Sequence, residues 1–497
     1  MSCAKRIFTL LLAALLLTSV TSCSNKVEDI VSPESGQNPA AVSEPGQAEA
    51  AETEPETQES DLLPDADYEG YTYSILSTDP GKLWGYMVSL YAEEETGEPL
   101  NDFVFRRNTA IEDRYNIKIT DSAELDSGPT SALALSTVKA GDDLYSIVSY
   151  GVKWQLTDAQ TGAFVNLHKV DSIDLSHPWW NGEAADLLTI KDRLYMAFGE
   201  FNTFDNEALG VIYVNNNMVR DNNLESPYDL VRSGEWTLDK LYEQASSVVR
   251  DMDGNGVVSE GDVFGFIGGI GTYNMMFTAT NQPHVLLDAD GSYILNQGTD
   301  GSLAAAEKIW RIVDDVTVSA FQNTQGWSPA AFREGNVLFF NAGLAGISQY
   351  RDLEWDIGLV PTPKFDTAQE EYRSMYSNQS MTIAIPVTNP DPERTGVISE
   401  AFGAYSRIPL REVYFETMLK LKAARDEDTA EMLDILVSNK CIDVGVLNEV
   451  AWGSVISSYF NALHEKGIGA LASTVASNRK MFEKNVEKIE QKYEELD

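Results

Sequence analysis

Residues 100–120 read LNDFVFRRNTAIEDRYNIKIT, and two periods meet inside them. Leu100, Phe103, Val104, Ile111 and Tyr115 fall on one face at 100° per residue, which predicts an amphipathic helix. Ile117 to Thr120 then alternates as a short strand. Upstream, Tyr71 to Leu76 reads as a strand. Downstream follow a helix near 130–139 and a strand over Tyr145 to Tyr150. Strand, helix, strand, helix, strand is the order of a parallel α/β sheet.

After two strand-like runs, LYMAF (194–198) and GVIYV (210–214), the pattern starts again. WTLDKLYEQASSVVRD (236–251) predicts a helix with Thr237 as N-cap. SLAAAEKIWRIVDD (302–315) predicts another. NVLFF, DIGLVP and MTIAIP read as strands, and from about 397 the chain is nearly all helix, ending in a charged helix over about 470–495. Two α/β lobes and a helical return imply a cleft. In open parallel sheets, ligands bind beyond the carboxyl ends of the strands.

The first residues are a different material. Lys5 and Arg6 precede an apolar run from Ile7 to Leu17, too short for a permanent membrane span and suited to a signal peptide over 1–22. Val20-Thr21-Ser22-Cys23 closes it. Residues 24–67 hold twelve acidic residues against one lysine and few large apolar side chains. Such a segment cannot bury enough surface to offset its ordering entropy, so 23–67 is expected to be a disordered acidic tether. The globular part is then 68–497, long enough for two lobes. The boundaries read as lobe 1 over about 68–200 and 377–425, and lobe 2 over about 205–375 with C-terminal helices 426–497.

A net charge of −41 argues against nucleic acid and against flat docking on anionic lipid. The four histidines are scattered without metal-ligand spacing. Of three cysteines only Cys441 would remain unmodified in the exported chain, so no intrachain disulfide is expected.

One loop stands out, DMDGNGVVSEGD over 251–262. Asp251, Asp253, Asn255, Val257 (by its carbonyl), Ser259 and Asp262 occupy the ligand positions of a twelve-residue calcium loop, with Gly256 at the turn. Position 12 is Asp rather than the longer Glu, and Val263-Phe-Gly-Phe-Ile-Gly-Gly reads as strand and turn where a calcium sensor has a second helix. The expectation is a structural Ca2+ clip; a polar turn without metal is the alternative.

Pieces along the chain resemble one family. They are the Val20–Cys23 lipobox, ETGEPLNDFVFRRNTAIEDRYNIKI, AGDDLYSIVSYG, LSHPWWN, VIYVNNNMV, SPYDLVRSGEWTLDKL, DMDGNGVVSEGDVFGF, FREGNVLFFNAG, WDIGLVPTPK and AARDEDTAEMLDIL. Their order resembles extracellular solute-binding proteins of family 1, the lipid-anchored receptors of ABC importers of the carbohydrate type. The resemblance implies an α/β fold with two periplasmic-binding-protein-like lobes. It implies cleavage before Cys23 and acylation of its thiol, as by palmitate. The chain would then lie on the extracellular face of the membrane, held only by its lipid. A carbohydrate ligand, ABC permease partners, a monomer and binding without catalysis complete the expectation.

Sugars need aromatic platforms for their C–H faces and amides or acids for their hydroxyls. Candidates past strand ends or in crossing segments are Trp84, Tyr150, Trp154, Asn202, Tyr273, Asn274, Asn341, Tyr376 and Asn378. Trp236, Trp310 and Trp355 read as structural, and Trp179-Trp180 as packing. A surface glycoside hydrolase is the rival class, since it also needs carboxylates and aromatics. No nucleophile elbow, zinc motif or phosphate loop supports catalysis. A sensor or adhesin on the same fold is a third reading.

Overall fold

The computed structural model describes residues 59–82, 90–256, 261–289, 291–321, 330–350, 352–420 and 427–496. The signal-peptide, lipobox and Cys23 expectations, most of the tether, Trp84, Val257 and Ser259 lie outside them.

Among the described residues, nine strands build the two larger sheets: β1 (Tyr71–Ser77), β2 (Ile117–Asp121), β3 (Ile147–Gly151), β4 (Gly210–Asn215), β5 (Phe264–Gly268), β6 (Ser319–Phe321), β7 (Val337–Gly343), β8 (Ile357–Pro361) and β9 (Met381–Ala384). The ten helices of eight residues or more among the described residues are α1 (Pro99–Tyr115), α2 (Ser127–Ala140), α3 (Val152–Ala159), α4 (Leu238–Val248), α5 (Ile270–Ala279), α6 (Asp300–Asp314), α7 (Pro392–Lys420), α8 (Glu427–Ser438), α9 (Val455–Lys466) and α10 (Leu471–Glu495).

The first sheet has the order β9-β3-β1-β2, with β1 parallel to both neighbours and β9 antiparallel to β3. The second has the order β8-β4-β7-β5-β6. There β5 runs parallel to β7 and β6, while β4 runs antiparallel to β7 and β8. Each sheet is the floor of one lobe.

Local chemistry explains the elements. The Glu98 carboxylate accepts from the Asn101 N–H at the start of α1, Pro99 sits in its first turn, and Asn116 ends it in the left-handed conformation. Leu100, Val104, Ile111 and Tyr115 are buried against the sheet and α7. Each contributes about 1.5–3 kcal/mol of transfer free energy. Thr237 caps α4 as the sequence implies, its hydroxyl accepting from the Lys240 N–H at 3.3 Å. LYMAF departs from the reading. It forms no named strand and meets β9 only through an Ala197–Ile383 bridge.

Two boundaries also differ from the expectation. The folded body begins by Glu59, not residue 68: Leu63 is buried, and its carbonyl accepts from Arg114 Nη2 at 2.8 Å. The helical return is not confined to lobe 2. α10 packs on α9, but its last turns also reach lobe 1, where Arg193 Nε donates to the Leu496 carbonyl at 2.6 Å and the Tyr195 and Tyr493 rings lie 5.2 Å apart.

Candidate functional site

Strand pairing locates the cleft. Met381, which opens β9, pairs with Gly151, which ends β3. In the second sheet Gly210, which opens β4, pairs with Gly343, which ends β7. The chain enters β4 from a crossing segment over 200–209 and enters β9 from another over 362–380. The carboxyl ends of β1 and β3, and those of β5 and β7, therefore lie on the sides of their sheets that meet the crossings. Met381 of lobe 1 packs with Ala208 and Ala345 of the crossing and lobe 2, so the two rims touch at the hinge.

The rim of lobe 1 is built at the end of β3. The Gly151 N–H donates to Ser127 Oγ at 3.3 Å, and the Lys153 N–H donates to the Asn378 carbonyl at 3.4 Å. The second bond places the Asn378 backbone against Lys153, the residue before Trp154. The Trp154 indole lies across Gly128, whose missing side chain leaves room for it: a Cβ there would stand 3.4 Å from the ring. Trp154 remains 39% exposed, which leaves part of the indole open to a ligand. Lys153 Nζ is 5.4 Å from its ring centre, and burial lowers its pKa.

The other candidates are placed as follows. The Tyr150 ring is fully buried, and its hydroxyl donates to Asp158 at 2.6 Å; it packs between α2 and α3 and offers no face to the cleft. Tyr273 is likewise buried, stacked on Phe460 at 4.9 Å with its hydroxyl bonded to Asp314. Its neighbour Asn274 is half-buried at the start of α5, and its Oδ1 has no hydrogen-bond partner among the described residues. Asn341 is buried near the end of β7, donating to the Val211 carbonyl at 3.0 Å. Asn202 and Tyr376 are buried in the two crossing segments.

Two rim features escape sequence reading. Asp121 ends β2 and accepts from Ser77 Oγ at 2.7 Å at the end of β1; burial pushes its carboxyl up to about 6. Ile270, exposed at the first turn of α5, offers lobe 2 an apolar contact. An acid among 77 and an isoleucine after glycines carry no signal until the fold places them.

The Trp179-Trp180 pair has a structural partner. Both indole N–H groups donate to the buried Glu400 carboxylate at 2.7 Å, as do the Asp174 N–H and His177 Nδ1 at 2.8 Å. This pins LSHPWWN to α7.

In the calcium-like loop, carboxylate oxygens of Asp251, Asp253 and Asp262 lie within 4.8 Å of one another. The loop is closed by a bridge between Arg250 and Val263 and leads directly into β5, with no second helix. Asp251 accepts from the Gly254 and Gly256 N–H groups, which hold its pKa below the usual range. Gly256 has φ of +82°, a conformation that favours glycine.

No protein-family model matches the chain, and no curated protein sequence does. Solved structures do. A sugar transporter protein from Rhizobium etli in an open conformation superposes with a TM-score of 0.54 at 14% identity, over 84% of this chain and 99% of that one. MalE from Bdellovibrio bacteriovorus bound to maltotriose gives 0.52 at 12% identity, over 84% and 100%. RafE from Streptococcus pneumoniae gives 0.52 at 15% identity, over 83% and 98%. The fold is that of the two-lobed periplasmic binding proteins. Such a fold supplies two rigid rims and a hinge. In this chain the rims carry an open indole, amides and a perturbed carboxyl.

Proposed function

We propose that this protein is an extracellular, lipid-anchored receptor that closes on a sugar or oligosaccharide and hands it unaltered to an ABC permease. The observation that carries the reading is the half-open Trp154 indole just past the end of β3, on the side where the two lobes join and one residue from Lys153, whose N–H donates to the Asn378 carbonyl. An aromatic face takes the C–H surface of a sugar ring, and unmatched amides select its hydroxyls. The solved structures of the same fold include one bound to maltotriose and one bound to cycloalternan, which supports a carbohydrate ligand. The Val20–Cys23 motif supports the anchor, and the Asp251–Asp253–Asp262 cluster supports a structural Ca2+. Asp251, Asp253 and Asp262 would hold the ion, which would brace the loop between α4 and β5. Purified protein screened against a glycan panel should melt higher with its ligand, and the glycan should be recovered intact. Glycan turnover would move the protein to the hydrolase class; a response only to peptides or amino acids would remove the carbohydrate assignment.

A further inference from the structure

A cavity of about 220 Å³ lies against the crossing segments. Trp180, Asn181, Glu200, Asp205, Tyr376 and Lys440 are among the residues that line it, and none of its lining comes from the carboxyl ends of β1–β3 or β5–β7. It is therefore separate from the cleft rims.

Its hydrogen-bonding capacity is lopsided. Lys440 Nζ is spent on Glu200 Oε1 at 3.1 Å and Asn206 Oδ1 at 3.2 Å, which ties the loop after α8 to the first crossing. The Trp180 N–H is spent on Glu400, and Asn181 Nδ2 on the Tyr376 hydroxyl at 3.3 Å. What remains is acceptor. Asp205 is only 5% exposed, and its Oδ1 has no hydrogen-bond partner among the described residues. A buried carboxyl without donors is costly to leave unmatched. Two carboxyl groups face one ammonium, so with Asp205 ionised the cavity can take one more positive charge. Its remaining walls include the Tyr376 ring, which already has Lys440 Nζ 5.5 Å from its centre, and the Trp180 ring, whose π face attracts cations. A bare metal ion fits poorly, because hard cations want six or more oxygen ligands and two carboxylates fall short.

We propose that this cavity is a second binding site, for a small organic ammonium ion. The ammonium N–H groups donate to Asp205 and Glu200, and the carbon skeleton lies against Trp180 and Tyr376. Desolvation holds the empty Asp205 carboxyl well above the usual carboxylate range, with Glu200 pushing the same way and Lys440 opposing. A cation bound there favours the ionised form.

Thermal melts of the full chain with ethylammonium chloride test this, with sodium chloride at equal ionic strength and the uncharged 1-propanol as comparisons. Ethylammonium should raise the melting temperature saturably, and neither comparison should. Asp205→Asn, which keeps the shape but not the charge, should weaken ethylammonium binding about 10- to 100-fold. It should also melt no lower than the parent without amine, because it removes a buried carboxyl whose Oδ1 has no hydrogen-bond partner among the described residues. Glu200→Gln should weaken binding too, and serves if Asp205→Asn does not fold. An equal response to sodium chloride, no response to ethylammonium, or full affinity in Asp205→Asn or Glu200→Gln would overturn the proposal. Because Trp154, Asn274 and Asn378 do not line this cavity, its failure leaves the sugar reading untouched, and the reverse holds.

Discussion

Trp154 is the residue on which ligand contact rests most directly. Truncation to alanine removes a half-exposed ring, so stability should change little, while glycan affinity should fall by about 0.5–1.5 kcal/mol, roughly two- to tenfold in Kd. Calorimetric titration reads this; unchanged affinity would exclude the indole from the site. His284 sets a different test. It is fully buried against Phe277 at 4.5 Å, and neither ring nitrogen has a hydrogen-bond partner among the described residues. Desolvation lowers its pKa in the fold, against opposing pulls from Asp443 and Glu449. The unfolded histidine binds a proton below about pH 6.5 that the folded one refuses. Stability from this group is thus present above about pH 6.5 and lost as pH falls below it, by up to about 1.4 kcal/mol per unit until the folded pKa is reached. Urea unfolding at pH 7 and pH 5 should show a smaller acid loss in His284→Leu than in the parent. Equal losses would mean that the buried ring does protonate in the fold.

Among the elements, the loop between α4 and β5 answers to metal. Calcium bound only by the folded state adds RT ln(1 + [Ca]/Kd), about 2.7 kcal/mol at a hundredfold excess. Chelator should lower the melting temperature, and Asp251→Ala should abolish that sensitivity. Identical melts with and without chelator would leave a polar turn. The regular elements were readable because their signals are local. Period 3.6 gave α1, Thr237 gave the start of α4, and apolar runs gave β4, β7, β8 and β9. LYMAF has the same composition but lies outside β9 with one bridge, so burial rather than a ladder explains its apolar character. The site was less readable. Position just past a strand says where a residue lies, but not which way its ring turns. Tyr150 found Asp158 across the turn from β3 into α3, and Tyr273 found Phe460, far along the chain. Tyr273 was also misplaced in kind. The glycines before it do not end in a turn but start α5, with the Gly269 N–H donating to Thr272 Oγ1 at 2.9 Å.

At the scale of the whole molecule, the proposed receptor is a clamp. Two sheets present their carboxyl ends to a common hinge, and the crossings at 200–209 and 362–380 absorb the change in backbone angles. α10 contacts both lobes, so closure must pivot about that helix rather than tear it away. Anchoring adds a separate expectation. Cys23→Ala should leave the membrane fraction or retain its signal peptide, and fractionation like the parent would remove the lipid anchor. The central claim is that the lobes close on an unaltered glycan. Small-angle X-ray scattering of the purified protein, with and without a glycan that raises its melting temperature, measures this directly. The radius of gyration should fall on ligand addition while the glycan is recovered intact; an unchanged radius at saturating glycan would contradict the clamp.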